Sequence, residues 1–425
     1  MKIINKLLLI CAITAALSIM AVSGYASAEE EKPRIKTGTT VGQYENLPYA
    51  IQNYDTVILE GEAKGGPSEI DGRDVTLCGS GAADIEISVI NGGSLTLSGD
   101  LNLRGGIVVY DGTLVVEDGV TIGGQTDAVI IRSHGSLTVR GGFFHSSTGH
   151  ALLVTDGWVE EISGGRFVTD IQETVLLSGA GVGKITGGRF ENRNPYGISP
   201  GTFCLDHQSL LGSISGGEFI TENGPALTVK RASRIGEISG GHFLTSATAG
   251  TYQSYGVMIV TQKEEPPEDV LDPEAWEEAQ AGRDTDTGIG EISGGEFISC
   301  GDSGCYGLYL CSSDPGTAFV HTISGGLFSG STSVVLNRQN WDGTGHVNIG
   351  EIRGGSFLTL GSAWDEAAFH NSQEQISLQQ QPPDESQNLL SGIRDGEGIV
   401  YLEGAIRSYG GLIDSISGVR FSHRE

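Results

Sequence analysis

Basic residues are scarce in this sequence. The 425-residue chain carries 25 lysines and arginines against 53 aspartates and glutamates, a formal net charge of -28. A surface that acidic repels nucleic acid and anionic lipid, so no nucleic-acid partner is expected. Beyond the first 28 residues no apolar run approaches the roughly 18 residues that cross a bilayer, so no membrane span is expected in the mature chain. There is no Gly-x-Ser-x-Gly, no His-Glu-x-x-His and no glycine-rich phosphate loop in a βαβ context. The corresponding esterase, metalloprotease and nucleotide-binding chemistries are therefore not expected. Metal signatures are missing as well. No histidine stands at a zinc-like spacing from Cys300, Cys305 and Cys311, and the acidic stretches lack the ordered ligand spacing of a calcium loop. No metal site is predicted, and calcium is the one cofactor that the acidic charge could attract.

Cysteine is sparse, at six residues. Cys11 lies in the N-terminal apolar run, and the five that follow cannot all pair within one chain. Cys300 and Cys305 are close enough in sequence to close a small loop in an oxidising compartment.

The N-terminus reads as an export signal. Lys2 and Lys6 flank a basic start, residues 7–22 are almost wholly apolar, and Ala26-Ser27-Ala28 gives a small-x-small cleavage pattern ahead of Glu29-Glu30-Glu31. Residues 1–28 are expected to be a secretory signal peptide, which places the mature protein outside the cell or on its surface.

Glycine, by contrast, is abundant, with 66 residues, and it recurs in a motif. An apolar residue, a polar residue, two glycines, any residue and then Phe appear at 162–167, 185–190, 214–219, 238–243, 292–297, 323–328 and 352–357. A looser copy spans 139–144, and at 416–421 Val419 replaces the second glycine. The first four steps are 23, 23, 29 and 24 residues, and the later ones are 54, 31, 29 and 64. Self-similarity in this range means a stacked repeat, and each outsized step reads as one coil plus an insertion. Glycine costs about 1 kcal/mol in a helix interior, which argues against helical repeats. Each unit instead offers short β-type runs, such as residues 151–154, 226–229 and 333–336. The expected fold is all-β, a right-handed parallel β-helix of roughly 23–30 residues per coil with loop insertions. Alternation along a strand points the motif's Ile and Phe inward, so both should stack from coil to coil.

The N-terminal part carries cruder strands of the same kind, among them Val75-Thr76-Leu77 and Leu95-Thr96-Leu97. Residues 43–53 have a broken apolar pattern compatible with a short helix that would cap the open end of the stack. The expected organisation is a signal at 1–28, an N-terminal segment and cap at 29–54, and the β-helix at 55–425 with insertions near 262–288 and 361–396. The C-terminal coil either associates with a second copy through its open end or is covered by a segment such as 361–396.

Asp55-Thr56-Val57-Ile58-Leu59, Asp74-Val75-Thr76-Leu77-Cys78-Gly79 and Gly93-Ser94-Leu95-Thr96-Leu97-Ser98-Gly99, followed by the Ile-Ser-Gly-Gly-x-Phe coils, resemble the pectin-lyase-like superfamily of right-handed parallel β-helix proteins. More narrowly, the chain looks like secreted and surface bacterial members with pectate-lyase-like adhesive domains. The resemblance covers roughly residues 40–425. The family's enzymes use signatures that do not carry over. Asn-Thr-Asp, Asp-Asp and Gly-His-Gly are absent, and Arg34-Ile35-Lys36 lies outside the coils. Leu205-Asp206-His207 resembles an aspartate-histidine segment of the pectate lyases, without the arginine-rich segment that follows it there.

Function in such a fold sits on outer faces and in loops that leave the coils. Trp276 lies in an acidic insertion and Trp364 in a second one, and Trp341 lies in a further connection; a loop tryptophan can stack on a sugar ring. Asp206 and His207 follow a strand, as do Asp156, Lys230, Arg231, Arg338 and Glu403, and together these could line one outer face. The binding candidates are therefore Trp276, Trp341, Trp364, Asp206 and His207, with no catalytic residue assigned. Two functions follow. The first is a non-catalytic, adhesin-like protein that binds glycans or host and matrix partners. The alternative is a polysaccharide lyase or glycoside hydrolase acting on uronic-acid or other complex polysaccharide. A structural spacer is the plainest third option.

Overall fold

The computed structural model describes residues 38–194, 201–247, 253–262, 285–301, 304–313, 316–339, 345–360, 391–393, 399–402 and 405–424. They form a right-handed parallel β-helix. Each coil contributes three short strands, and each strand pairs in parallel with its counterpart one coil on. Three outer faces result. Face 1 includes Val129–Arg132, Leu152–Thr155, Val175–Ser178 and Phe203–Asp206. Face 2 includes Trp158–Ile162, Gly181–Ile185 and Leu210–Ile214. Face 3 carries the motif phenylalanines, in strands such as Arg166–Thr169, Arg189–Asn192 and Glu218–Thr221.

The register explains the motif. Ile162, Ile185, Ile214 and Ile238 align from coil to coil, as do Phe167, Phe190, Phe219 and Phe243. All eight are fully buried. The rings from Phe144 to Phe357 stack in one column with centroids 4.4–5.1 Å apart. That is about the separation of neighbouring strands, so the backbone sets the stacking distance. Aromatic pairs add about 0.5–1.5 kcal/mol each beyond the area they bury.

The two glycines of the motif answer two separate demands. At the Gly216-Gly217 corner, a Cβ on the first would fall 2.4 Å from the Thr186 carbonyl oxygen of the coil below. The second has φ +101°, a conformation that costs an L side chain strain. Only glycine satisfies both, which is why the pair recurs at this corner.

At the N-terminal end a short helix, Leu47–Asn53, buries Leu47, Ala50 and Ile51 against the first coil. Its cap is Asn46, whose side chain accepts the Tyr49 N–H, with Pro48 in the first turn. At the other end, Ser391–Ile393 and Ile399–Leu402 pair antiparallel with the last strands of faces 2 and 1. These pairings cover edge that would otherwise be open. Arg234 of face 2 pairs with Gly288, and Ile352 pairs with Ile416. The 54- and 64-residue steps are thus single coils.

Candidate functional site

The three corners of the coil are not alike. The Gly-Gly corner between faces 2 and 3 keeps its length in every motif-bearing coil. Length varies at the two borders of face 1. The segments 195–200, 248–252, 302–303 and 361–398 lie between a face 3 strand and the next face 1 strand. The segments 263–284, 314–315 and 340–344 lie in the chain between a face 1 strand and the next face 2 strand. A scaffold that tolerates insertion only along the borders of one face presents that face as its variable surface.

Of the sequence candidates, the described residues include Asp206 and His207, both at the end of a face 1 strand. Trp276, Trp341 and Trp364 fall outside the described residues. Asp206 ends the face 1 strand Phe203–Asp206, and His207 opens the two-residue left-handed turn that follows, with φ +50°. Asp206 points outward yet is buried. Its Oδ1 accepts the His207 backbone N–H at 2.9 Å. Its Oδ2 accepts from Arg231 Nη1 at 2.9 Å and lies 3.3 Å from Lys230 Nζ. Both cations come from the next coil. Of the strand-following row, the structure thus gathers Asp206, His207, Lys230 and Arg231, whereas Glu403 is outside the described residues.

A second charged group stands two residues ahead of the face 1 strands. His150 Nδ1 lies 2.8 Å from Asp127 Oδ1, and its Nε2 lies 3.4 Å from Glu173 Oε2, one coil to either side. Burial works against the imidazolium, yet the two carboxylates raise His150 to about 9. Glu173 and Asp127 are correspondingly lowered, against their own desolvation, chiefly through His150. Lys230 is raised in spite of its burial. The Asp206 and Glu173 carboxylates contribute to that attraction, and burial pushes the nearby Cys204 thiol up. Asp127, His150, Glu173, Asp206, Lys230 and Arg231 thus each face an opposite charge. A carboxylate held by two cations is poorly placed to act as a general acid or base.

Further along, face 1 changes character. The outward slots that align as Met258, Tyr309 and Val335, and as Val260, Cys311 and Asn337, are mainly apolar. Tyr309, Cys311 and Val335 are buried, and Tyr255, Tyr306 and Tyr409 pack against them. The Tyr255 and Tyr309 rings are 4.9 Å apart, and Tyr306 and Tyr309 are 5.5 Å apart. Asn337 Nδ2 donates to the Tyr309 hydroxyl at 2.7 Å. This tyrosine cluster lies outside the β-helix core, on the face with variable borders. Sequence reasoning missed it. The available signal was Gly307-Leu308-Tyr309-Leu310-Cys311, where Tyr309 fills the outward slot between two inward leucines.

Cys78, Cys204 and Cys311 are free thiols. Among the described residues, no group of three or more His, Cys, Asp or Glu side chains is placed to hold a metal ion. Among the same residues, no helix is long and apolar enough to cross a membrane.

No family model, no curated protein and no solved structure matches this chain. The functional reading rests on the geometry of its faces.

Proposed function

We propose that this chain is a secreted or cell-surface, non-catalytic β-helix protein that binds glycans or glycoprotein surfaces through face 1. The observation that carries the reading is the tyrosine cluster in the outward slots of face 1, the face with insertions in the connections on both of its sides. Tyrosine offers an apolar ring and a polar hydroxyl together, which suits a hydroxylated ligand. The N-terminal export pattern and the acidic charge support an extracellular setting. The finer kinship we propose is with the adhesive members of the pectin-lyase-like superfamily; the three-strand coils and stacked side chains are compatible with it.

The test uses residues 29–425 on an array of plant and host glycans, followed by calorimetry on the hits. Tyr306→Ala, at the partly exposed rim of the cluster, should weaken binding at least tenfold, with the fold preserved by circular dichroism. Unchanged binding in that variant would remove face 1 from the reading.

One observation favours a second reading, cleavage of uronic-acid polymers. Asp206, Lys230 and Arg231 place a carboxylate beside two cations on face 1, and cations of that kind could hold an acidic sugar. Ultraviolet absorbance from unsaturated products, abolished by Asp206→Asn, would establish it.

A further inference from the structure

Face 2 carries a groove that the face 1 reading does not use. Its volume is about 420 Å³, and it runs across several coils. Trp158, Gly181, Leu210, Arg234, Gly288 and Phe319 follow one another in register along one side. A bulge on each coil forms the floor, which is made of Gly183, Gly212, Gly236 and Gly290. A Cβ on Gly212, Gly236 or Gly290 would fall 2.3–2.5 Å from a carbonyl oxygen of the coil below. The backbone therefore requires these glycines, and as a consequence the floor is bare of side chains.

Aromatic side chains close the groove at both ends and lean inward. The Trp158 indole rests on Gly181, where a Cβ would fall 2.1 Å from the ring. Its other face is open, and the residue is 41% exposed. At the far end Phe319 rests on Gly288. His321 stacks on Phe319 with centroids 4.3 Å apart, and the Arg234 guanidinium lies 6.0 Å from the Phe319 centroid. From Gly181 to Gly288 is three strand steps, about 14 Å at the usual spacing. That separation suits a short linear oligosaccharide better than a single sugar.

The remaining edge of the groove is polar and mostly acidic. Glu161, Lys184, Ser213, Glu237 and Glu291 align there. Lys184 Nζ is 3.2 Å from Glu161, and Glu237 accepts the Ser293 hydroxyl at 2.7 Å. Carboxylates and a hydroxyl beside an aromatic platform accept from sugar hydroxyls, and they repel a polyanion.

We propose that this groove is a second binding site, which takes a short neutral oligosaccharide lying along the β-helix axis with one pyranose face on Trp158. The site is independent of face 1, and variants separate the two.

The experiment is calorimetry on residues 29–425 with hexasaccharides of glucose, mannose, xylose and N-acetylglucosamine, with a galacturonate hexamer and an aromatic-rich neutral peptide as competitors. At least one neutral hexasaccharide should bind in the wild type. Trp158→Ala should weaken it tenfold or more, Trp158→Phe should recover part of the loss because a flat ring remains, and Tyr306→Ala on face 1 should leave this binding unchanged. Trp158 is a surface residue, so circular dichroism and the melting temperature should not move. The proposal is overturned if no neutral hexasaccharide binds, if the galacturonate hexamer or the peptide binds more tightly, or if Trp158→Ala binds as the wild type does.

Discussion

His150 Nδ1 sits 2.8 Å from Asp127 Oδ1, one coil away, and its other ring nitrogen faces Glu173 on the opposite side. The contact ties three successive coils together at one corner. It also makes the stack sensitive to alkali. The folded-state value of His150, about 9, exceeds its ordinary 6.5. The stabilisation is therefore complete below pH 6.5 and disappears as pH rises through 9, and it is on the order of 3 kcal/mol, shared with the two carboxylates. Asp127 and Glu173 shift the other way, so their share is present above the ordinary carboxylate range and is lost in acid. Urea melts between pH 6 and 10 should show stability falling toward pH 10 in the wild type. His150→Gln should start lower and have a flatter slope; an equal slope would mean the ladder does not govern the alkaline limb.

The phenylalanine column should be sensitive along its length. Phe219 is stacked on both sides, at 4.8 Å on Phe190 and 4.6 Å on Phe243, and it meets Phe203 edge-on at 5.7 Å. Phe219→Ala should cost about 3–5 kcal/mol, since truncation removes transfer energy and leaves a cavity. Phe219→Leu should cost less than half of that. Chemical denaturation of both variants checks the order.

Glycines should divide by position. Gly216→Ala drives a methyl against a carbonyl at 2.4 Å, and the neighbouring coil cannot retreat without breaking its ladder. The expected loss is more than 2 kcal/mol, among the larger effects of single substitutions. Gly92 has φ +76° with nothing within 4 Å of a Cβ. Gly92→Ala should then cost only the left-handed strain, about 1 kcal/mol. Equal melting temperatures for the two variants would contradict this division.

These contrasts show what a reader of the sequence could see. Phe219 and Gly216 were legible because their demands repeat: a residue type required by each coil returns at each coil. Asp206 was legible as a residue following a strand, and its cations Lys230 and Arg231 fell in the same row of the next coil. Tyr309 was not legible in this way, because an outward slot imposes no residue type and so leaves no period. The groove on face 2 was hidden for a related reason. Gly212, Gly236 and Gly290 recur, but their common role emerges only once strands are assigned to faces and the bulge places them on the outer surface. Trp158 and Phe319 are about five coils apart, and nothing local connects them. The unequal corners became visible in the same step, when the long steps of the repeat were resolved into segments on the borders of face 1.

Glu191 gives the last test, on face 3. Its carboxylate is buried and receives three guanidiniums. Arg166 donates to it at 3.2 and 2.8 Å, Arg193 at 3.0 Å, and Arg189 also binds it. Burial disfavours its charge, but the three arginines outweigh burial and hold it at about 2. Because that lies below the ordinary 4.5, its stabilisation is complete above pH 4.5 and is lost as pH falls through 2. The arginines are each nearly half exposed, so solvent screens the attraction, and Glu191→Gln should cost about 1–2 kcal/mol at neutral pH. Much of that cost is repulsion among the three cations left behind. Arg189 also pairs with Glu218 on the next coil and keeps a partner, so Arg166 and Arg193 are the cations most affected. Adding Arg166→Gln to Glu191→Gln should therefore recover part of the lost stability. A double variant less stable than Glu191→Gln alone would show that packing of the Arg166 side chain, which lies 5.5 Å over the Phe143 ring, outweighs its charge.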